Sequence, residues 1–284
     1  VERAYGKIMR RLLPFLSGCF VLAYLDRLNI GFAKFQLASD LRLSDTAYGL
    51  GAGIFFFGYL LFEVPANLIL ARVGARLWIA RIMVLWGLVS IATAFVHSVP
   101  ALYVARFLLG AAEAGFFPGV VFYFTLWFPD SKRAQVVSSM TAAAALAGVL
   151  GGLISGLILQ NLSGAAGLHG WQWLFVLEGA PSVLAGAAAL FVLDDTPADA
   201  SWLTSEEKAS IADALALEAR SKQTMRTAHV FTNARLWLLG FIYFCFLMGL
   251  YGLGFWLPQL LKNAGAGDAL HIGLWSAVPY AIAV

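Results

Sequence analysis

VARFLLGAAEAGFFP, residues Val104 to Pro118, lies inside a long apolar run and yet carries Arg106 and Glu113. The two are seven residues apart, about two helical turns, so both point from one face of a helix. A charge at the centre of a bilayer-spanning helix costs roughly 2.5–3.5 kcal/mol on the insertion scale. Two on one helix therefore need partners or a purpose. The first apolar run offers partners at comparable depth, Asp26 and Arg27. These four residues are expected to form a polar heart, with the other helices building a cavity around them.

The rest of the composition agrees with a membrane setting. Of 284 residues, 61% are hydrophobic and 12% charged, with a mean hydropathy of +0.79. Soluble domains carry about 25% charged residues, so the chain reads as an all-α membrane protein. The net charge of +3 is too small to argue for nucleic acid. Cys19 and Cys245 lie far apart in apolar runs, which implies neither a disulfide framework nor a metal site. The first apolar run is followed by further spans and by no small-residue cleavage site, so it is read as a span rather than a cleavable signal.

Working outward from Val104, the apolar runs divide the chain into spans. They are expected at Leu12 to Phe35, Ala47 to Leu70, Trp78 to Val96, Ala101 to Trp127, Val136 to Leu159 and Trp171 to Leu193. Each can cross a hydrocarbon core of about 30 Å. The fourth is expected to kink at Pro118. Gly49, Gly51, Gly53 and Gly58 in the second span, and Gly148, Gly152 and Gly156 in the fifth, allow close helix approach. Trp78, Trp171 and Trp173 lie at span ends, where interfacial anchors are expected. Residues 194–235 break the pattern with a polar stretch. A seventh span runs from Leu236 to Leu261, and an eighth begins near Ile272.

The organisation expected is thus a six-helix lobe over 1–193, an inter-lobe loop over 194–235 and the start of a second lobe over 236–284. Inverted three-helix repeats would make spans one and four equivalent, and those are the spans that carry the four charges. The chain starts at Val1 and stops at Val284 within an apolar run, so roughly four more spans are expected beyond it. The second lobe is accordingly expected to break off after about one and a half helices.

Loop charges give the orientation. Arg3, Lys7, Arg10, Arg11, Arg72, Arg76, Lys132 and Arg133 fall on one side, together with the basic residues of the long loop; Lys34, Arg42 and Lys262 fall on the other. The first side is expected to be cytoplasmic, with the N-terminus on it. In the long loop, Thr204 and Glu207 have capping-box spacing, and Ile211 and Leu215 continue a helical period. A solvated helix on the inner membrane face is expected there.

Several stretches, in order, carry a resemblance. They are Tyr24-Leu-Asp-Arg-Leu-Asn29, Phe57-Gly-Tyr59 with Glu63-Val-Pro-Ala-Asn67, Gly74-Ala-Arg76, Arg106 to Pro118, Trp127-Phe-Pro129, and Trp171-Gln-Trp173 with Glu178-Gly-Ala-Pro181. With the six-plus-six layout, the chain resembles the major facilitator superfamily, and within it the anion:cation symporter branch of tartrate, sugar-acid and aromatic-acid permeases. The loop Arg72 to Arg76 resembles the end of the superfamily signature, although Ala71 stands where its Asp is expected.

The resemblance implies a proton-coupled symporter of an organic anion in a bacterial inner membrane, acting as a monomer by alternating access. It implies that Arg27 binds the substrate carboxylate with Arg106 in support, that Tyr24 and Tyr59 hydrogen-bond substrate, and that Asp26 and Glu113 carry protons. No cofactor or metal is implied. Near Ala144, some sugar-acid members carry an amide; here Thr141 is followed by four alanines, which permits a bulkier or less hydroxylated acid. The fifth span lacks the Gly-Pro of the family's antiporters, which favours symport over exchange.

The residues themselves leave alternatives open. The arginines offer a planar fork for a carboxylate, but they would equally neutralise Asp26 and Glu113 as static pairs. If substrate takes over the arginines, the acids are released for protonation, and anion and proton bind with positive coupling. Glu63 is expected to contact arginines on the cytoplasmic side, such as Arg72, and Glu178 to be structural. His97 and His169 are read as inert loop residues. A non-transporting membrane sensor of the same fold is the alternative. An enzyme is disfavoured, because neither an HExxH pair nor a Walker-type loop is present.

Overall fold

The structure is a computed structural model, and it describes residues 2–221 and 233–283. The expected inter-lobe loop lies partly outside the described residues. The helices are α1 (Glu2–Asp40), α2 (Asp45–Val73), α3 (Ala75–Thr93), α4 (Val99–Glu113), α5 (Phe116–Trp127), α6 (Asp130–Asn161), α7 (Gly170–Val192), α8 (Ser205–Ser221), α9 (Ala234–Asn263) and α10 (Ala269–Ala283). Among the described residues seven spans are long and apolar enough to cross a membrane, α4 and α5 together forming one of them; α10 is a shorter apolar helix.

The expected spans are all present; several extend further, whereas α3 and α7 keep the expected length and shift toward the N-terminus. α1 runs for 39 residues because the basic segment before Leu12 and the polar stretch after Phe35 both stay helical. Lys34 is buried, not looped out: its Nζ is 2.7 Å from Asp45 Oδ1 and 3.9 Å from the centroid of Trp256. Ser44 caps α2 by accepting from the Ala47 amide at 3.1 Å.

The fourth span breaks, but not at Pro118. The break is at Ala114 and Gly115, where Gly115 takes a left-handed φ of 83°. A Cβ there would lie 2.7 Å from the Cβ of Ala66 on α2, so glycine answers both the backbone and the packing. Pro118 sits in the first turn of α5, where a missing N–H costs no helical bond.

Helix approach is set by small residues. α2 lies on α4, and a Cβ on Gly58 would fall 2.3 Å from the Phe107 carbonyl oxygen. α3 packs on α7 along the most extensive interface of the described helices. The fifth-span glycines act across the two expected lobes: α6 crosses α10 so closely that a Cβ on Gly152 would lie 2.5 Å from the Gly273 carbonyl oxygen. α1 meets α9 in the same half of the bundle, with Gly31 against Gly254 and Phe255, and Tyr48 donating to the Phe255 carbonyl at 3.0 Å.

The tryptophans expected as interface anchors are partly reassigned. Trp78 and Trp171 are buried, because each has a neighbouring helix to pack on. Trp171 Nε1 donates to Asp40 at 2.6 Å, and His169 contacts the same carboxylate while closing a capping box with Gln172 at the start of α7. His169 is therefore not inert.

The helix in the polar loop forms as its capping box implies. Thr204 N–H donates to Glu207 and Glu207 N–H donates back to Thr204. It is less solvated than expected. Ile211 is fully buried, Lys7 pairs with Glu207 at 2.5 Å, and Glu218 accepts from the Asp130 amide at 2.9 Å. Just before it, Asp195 accepts from the Arg76 amide at 2.9 Å and so supplies a carboxylate to the start of α3, beside the loop whose signature acid is replaced by Ala71.

Candidate functional site

α1 organises the site because its middle turns carry polar groups on two faces. Phe20, Tyr24, Arg27 and Gly31 follow helical spacing and face one way. Ala23, Asp26 and Ile30 follow the same spacing about 100° round the helix. The two faces have different surroundings.

The first face lines a cavity of about 740 Å³. Arg27 and Tyr24 from α1, Phe55, Tyr59 and Glu63 from α2, and Tyr251 from α9 carry its wall nearest the charges. Thr141 and Ala144 of α6 line it too, at the place where the missing amide was noted. The lining lies on the N-terminal side of the Gly31–Gly254 contact, so the two groups of helices meet above the cavity and part below it.

Arg27 is held at the wall by several partners. Its Nε donates to Glu113 Oε1 at 2.6 Å, and its Nη2 lies 2.6 Å from the same oxygen. Its Nη1 donates to the Tyr251 hydroxyl at 2.8 Å. The rings of Tyr24, Phe55 and Tyr59 surround the guanidinium with centroids at 5.6, 5.8 and 5.3 Å. Two nitrogens crowd one carboxylate oxygen while Glu113 Oε2 has no partner, so the fork is not used bidentately. Glu113 itself is fully buried behind Arg27, at the last turn of α4 before the break.

Arg106 is placed differently from the expectation. It is fully buried and lines no part of the cavity. Its Nε reaches the Gly51 carbonyl at 3.4 Å, and its two Nη atoms have no partner. Phe55 separates it from Arg27, its ring centroid lying 5.0 Å from the Arg106 guanidinium carbon and 5.8 Å from that of Arg27. The Arg106–Glu113 spacing does put both on one face of α4, but the pair formed is Arg27 with Glu113.

Asp26 points away from the cavity. Ser90 of α3 and Asn29 donate to its Oδ1, the latter at 3.2 Å, and its Oδ2 has no partner. The four charges thus do not share one cavity. Equal depth placed them together in the sequence reading, while azimuth separates Asp26 from Arg27.

Glu63 also departs from its expected place. It lies at the cavity, half-buried, and among the described residues it pairs with no arginine. Tyr59 and Glu63 are one turn apart, so the signal for a shared face was present in the spacing. Tyr251 had no such signal, because nothing in span seven says which turn meets Arg27. Phe116 packs on Trp86, whereas Phe117 lines the cavity. Among the described residues no group of three His, Cys, Asp or Glu could hold a metal ion.

Comparisons with known proteins agree with this architecture. The family model described as Major Facilitator Superfamily matches residues 16–284. The chain is 50% identical over 97% of its length to the "Putative metabolite transport protein NicT" of Pseudomonas putida, covering 63% of that protein. It is 46% identical over 99% of its length to a "Putative tartrate transporter" of Agrobacterium vitis, again covering 63%. The chain therefore spans about 63% of the length of these relatives. Among solved structures, a bacterial homolog of the human lysosomal transporter Spinster, inward-facing and occupied, superposes with a TM-score of 0.76 at 18% identity, over 96% of this chain and 58% of that one. The xylose transporter XylE of E. coli in a partially occluded inward-open conformation gives 0.71 at 14% identity, over 96% of this chain and 70% of that one. These two likenesses concern the fold. With seven membrane-length apolar spans, a cavity between its helices and a family match over nearly all its length, the chain belongs to the major facilitator superfamily.

Proposed function

We propose that the full-length protein is a secondary active transporter that carries an organic anion together with protons by alternating access. The anion is a carboxylate such as tartrate, a sugar acid or an aromatic acid. The observation that carries this reading is Arg27: a buried cation at the wall of a membrane-depth cavity, held by an acid behind it and a tyrosine from the other group of helices in front. Intramembrane charges that face a cavity mark substrate and ion pathways. The names borne by the relatives point the same way.

In this reading a substrate carboxylate takes the fork of Arg27, with Tyr24 and Tyr59 as neighbours that can donate from their hydroxyls. Arg106, one ring behind, adds positive potential without contact. Glu113 then loses its ion partner and is neutralised by a proton instead, so anion and proton favour each other. Asp26 takes the second proton-coupling role from the far side of α1. Residues 1–193 form one lobe, 194–235 the connection and 236–284 the beginning of the second lobe. The protein works as a monomer in a bacterial inner membrane with its N-terminus in the cytoplasm, which makes the cavity inward-facing.

The test is uptake of labelled tartrate, gluconate and 4-hydroxybenzoate by cells or proteoliposomes carrying the full-length protein, with and without an inward proton gradient. Accumulation of at least one acid that collapses with the gradient is expected. Gradient-independent equilibration would remove the coupling, and no uptake of any carboxylate would remove the reading.

A further inference from the structure

Behind the cavity wall, where α1 faces α3, α6 and α7, lies a polar cluster that substrate binding does not use. Glu178 of α7 is 3% exposed. Ser155 of α6 donates to its Oε1 at 2.9 Å, and its Oε2 has no partner. Asn29 of α1 stands between Glu178 and Asp26, fully buried, with its Nδ2 donating to Asp26 at 3.2 Å and also turned toward Glu178, while its Oδ1 is unpartnered. Ser182, one turn further along α7, is fully buried with an unpartnered hydroxyl.

The orphan that matters is Glu178 Oε2, a buried acceptor without a partner, and leaving such an atom unpaired is most costly when it carries charge. A single proton on Oε2 removes that charge, while Oε1 still accepts from Ser155.

Charge balance leads to the same place. Asp26, Glu113 and Glu178 are buried against Arg27 and Arg106, and the further buried cation, Lys34, is held by Asp45 near the far end of the bundle. One negative charge is left over among these groups. A surplus carboxylate in a dry interior is neutralised rather than carried.

We propose that Glu178 is a buried proton-holding site, a neutral carboxylic acid that accepts from Ser155 at Oε1, carries its proton on Oε2 and so leaves the Asn29 N–H to Asp26. Glu178 touches no substrate and is a positioning residue for Asp26. The titratable group facing it is Asp26 on α1; α6 presents Ser155 and α3 presents Ser90, and Asp26 in turn faces Glu113 and Arg106 on α4. The proposal rests on the transport reading only for the role given to Asp26.

Infrared spectroscopy of the purified full-length protein in lipid at neutral pH tests it directly. A carbonyl stretch of a neutral carboxylic acid is expected in the wild type and its loss in Glu178→Gln, whose amide supplies the same donor. Uptake by Glu178→Gln is expected within about twofold of wild type with an unshifted pH profile, and Glu178→Ala to fall about tenfold by leaving the buried Ser155 hydroxyl unpaired. A spectrum with no neutral-acid band that Glu178→Gln removes would overturn the proposal. So would a shifted pH profile or a failure to fold in Glu178→Gln. Stimulation of uptake by sodium would overturn it too, since the same oxygens would then hold a cation. Absence of all uptake would sink the transport reading alone, because the infrared result does not depend on transport.

Discussion

The two faces of α1 solve the problem of burying charge in different ways. On the Arg27 face, a cation is stacked among aromatic rings beside a cavity, and its acid partner uses one oxygen of two. On the Asp26 face, the Ser90 hydroxyl and the Asn29 amide hold an acid inside packed helices, and among the described residues no cation pairs with it. The first arrangement can exchange a partner because space lies in front of it. The second is closed in by packed helices, and its simplest change is to gain or lose a proton. Neighbouring positions in the chain thus acquire opposite kinds of freedom from a rotation of about 100°.

That contrast can be broken by substitution. Arg27→Ala has the largest expected effect. It strands Glu113 in the interior, and breaking a buried pair costs about 3–5 kcal/mol, so uptake should fall about 100-fold or more. Arg27→Lys should recover little, because an ammonium lacks the planar fork. If Arg27→Ala transports as well as wild type, the cavity face is not where the substrate binds. Glu113→Gln comes next. Carboxylate exchange across the membrane should persist while accumulation driven by a proton gradient disappears, as counterflow and uphill uptake measured side by side will tell.

Access distinguishes the faces without any transport assay. In a protein with Cys19 and Cys245 replaced, Thr141→Cys at the cavity should react readily with a charged thiol reagent. Ser90→Cys should react only after denaturation. Equal labelling would mean that water reaches both faces and that the contrast is false. Ser90→Ala alone should cost about 1.5–3 kcal/mol of stability, the range for a hydrogen bond to a charged group, read as a lowered melting temperature.

The smallest effect expected lies at the membrane surface. Glu207 is held below the usual carboxylate range by the hydrogen bond from Lys7 and by the Thr204 amide. A depressed folded value means that this contribution is present above the unfolded value, about 4.3, and is lost as pH falls through the folded one. Lys7→Ala should therefore lower the melting temperature slightly near neutral pH and not at all in strong acid. A loss that persists in acid would point to packing rather than charge.

Much of this could be read from the chain. Apolar run lengths placed every span, because a bilayer core fixes how many residues a helix needs. The glycines of the fifth span announced a close crossing, although not that α10 would be its partner. What was not legible follows from the same physics. Depth along a helix comes from counting, but azimuth needs the neighbours, and so Asp26 and Arg106 were assigned to a cavity that neither lines. Glu63 was read against Arg72 because sequence distance is short there, while the half-turn that turns it inward depends on how α2 packs on α4. Gly115 and not Pro118 breaks the fourth span, since a proline in a first turn is harmless and a left-handed residue is not.

The crossing of α6 over α10 has a mechanical consequence. At Gly152, Gly156 and Gly273 main chain rides on main chain, with Ala277 beside Gly152 and the Tyr280 ring over Gly148 one turn away. Tilting one helix about the other at that point has few side chains to displace. Resistance to such a tilt has to reside elsewhere, and the nearby bridge of Lys34 to Trp256 and Tyr48 is the place where the molecule has something to let go of.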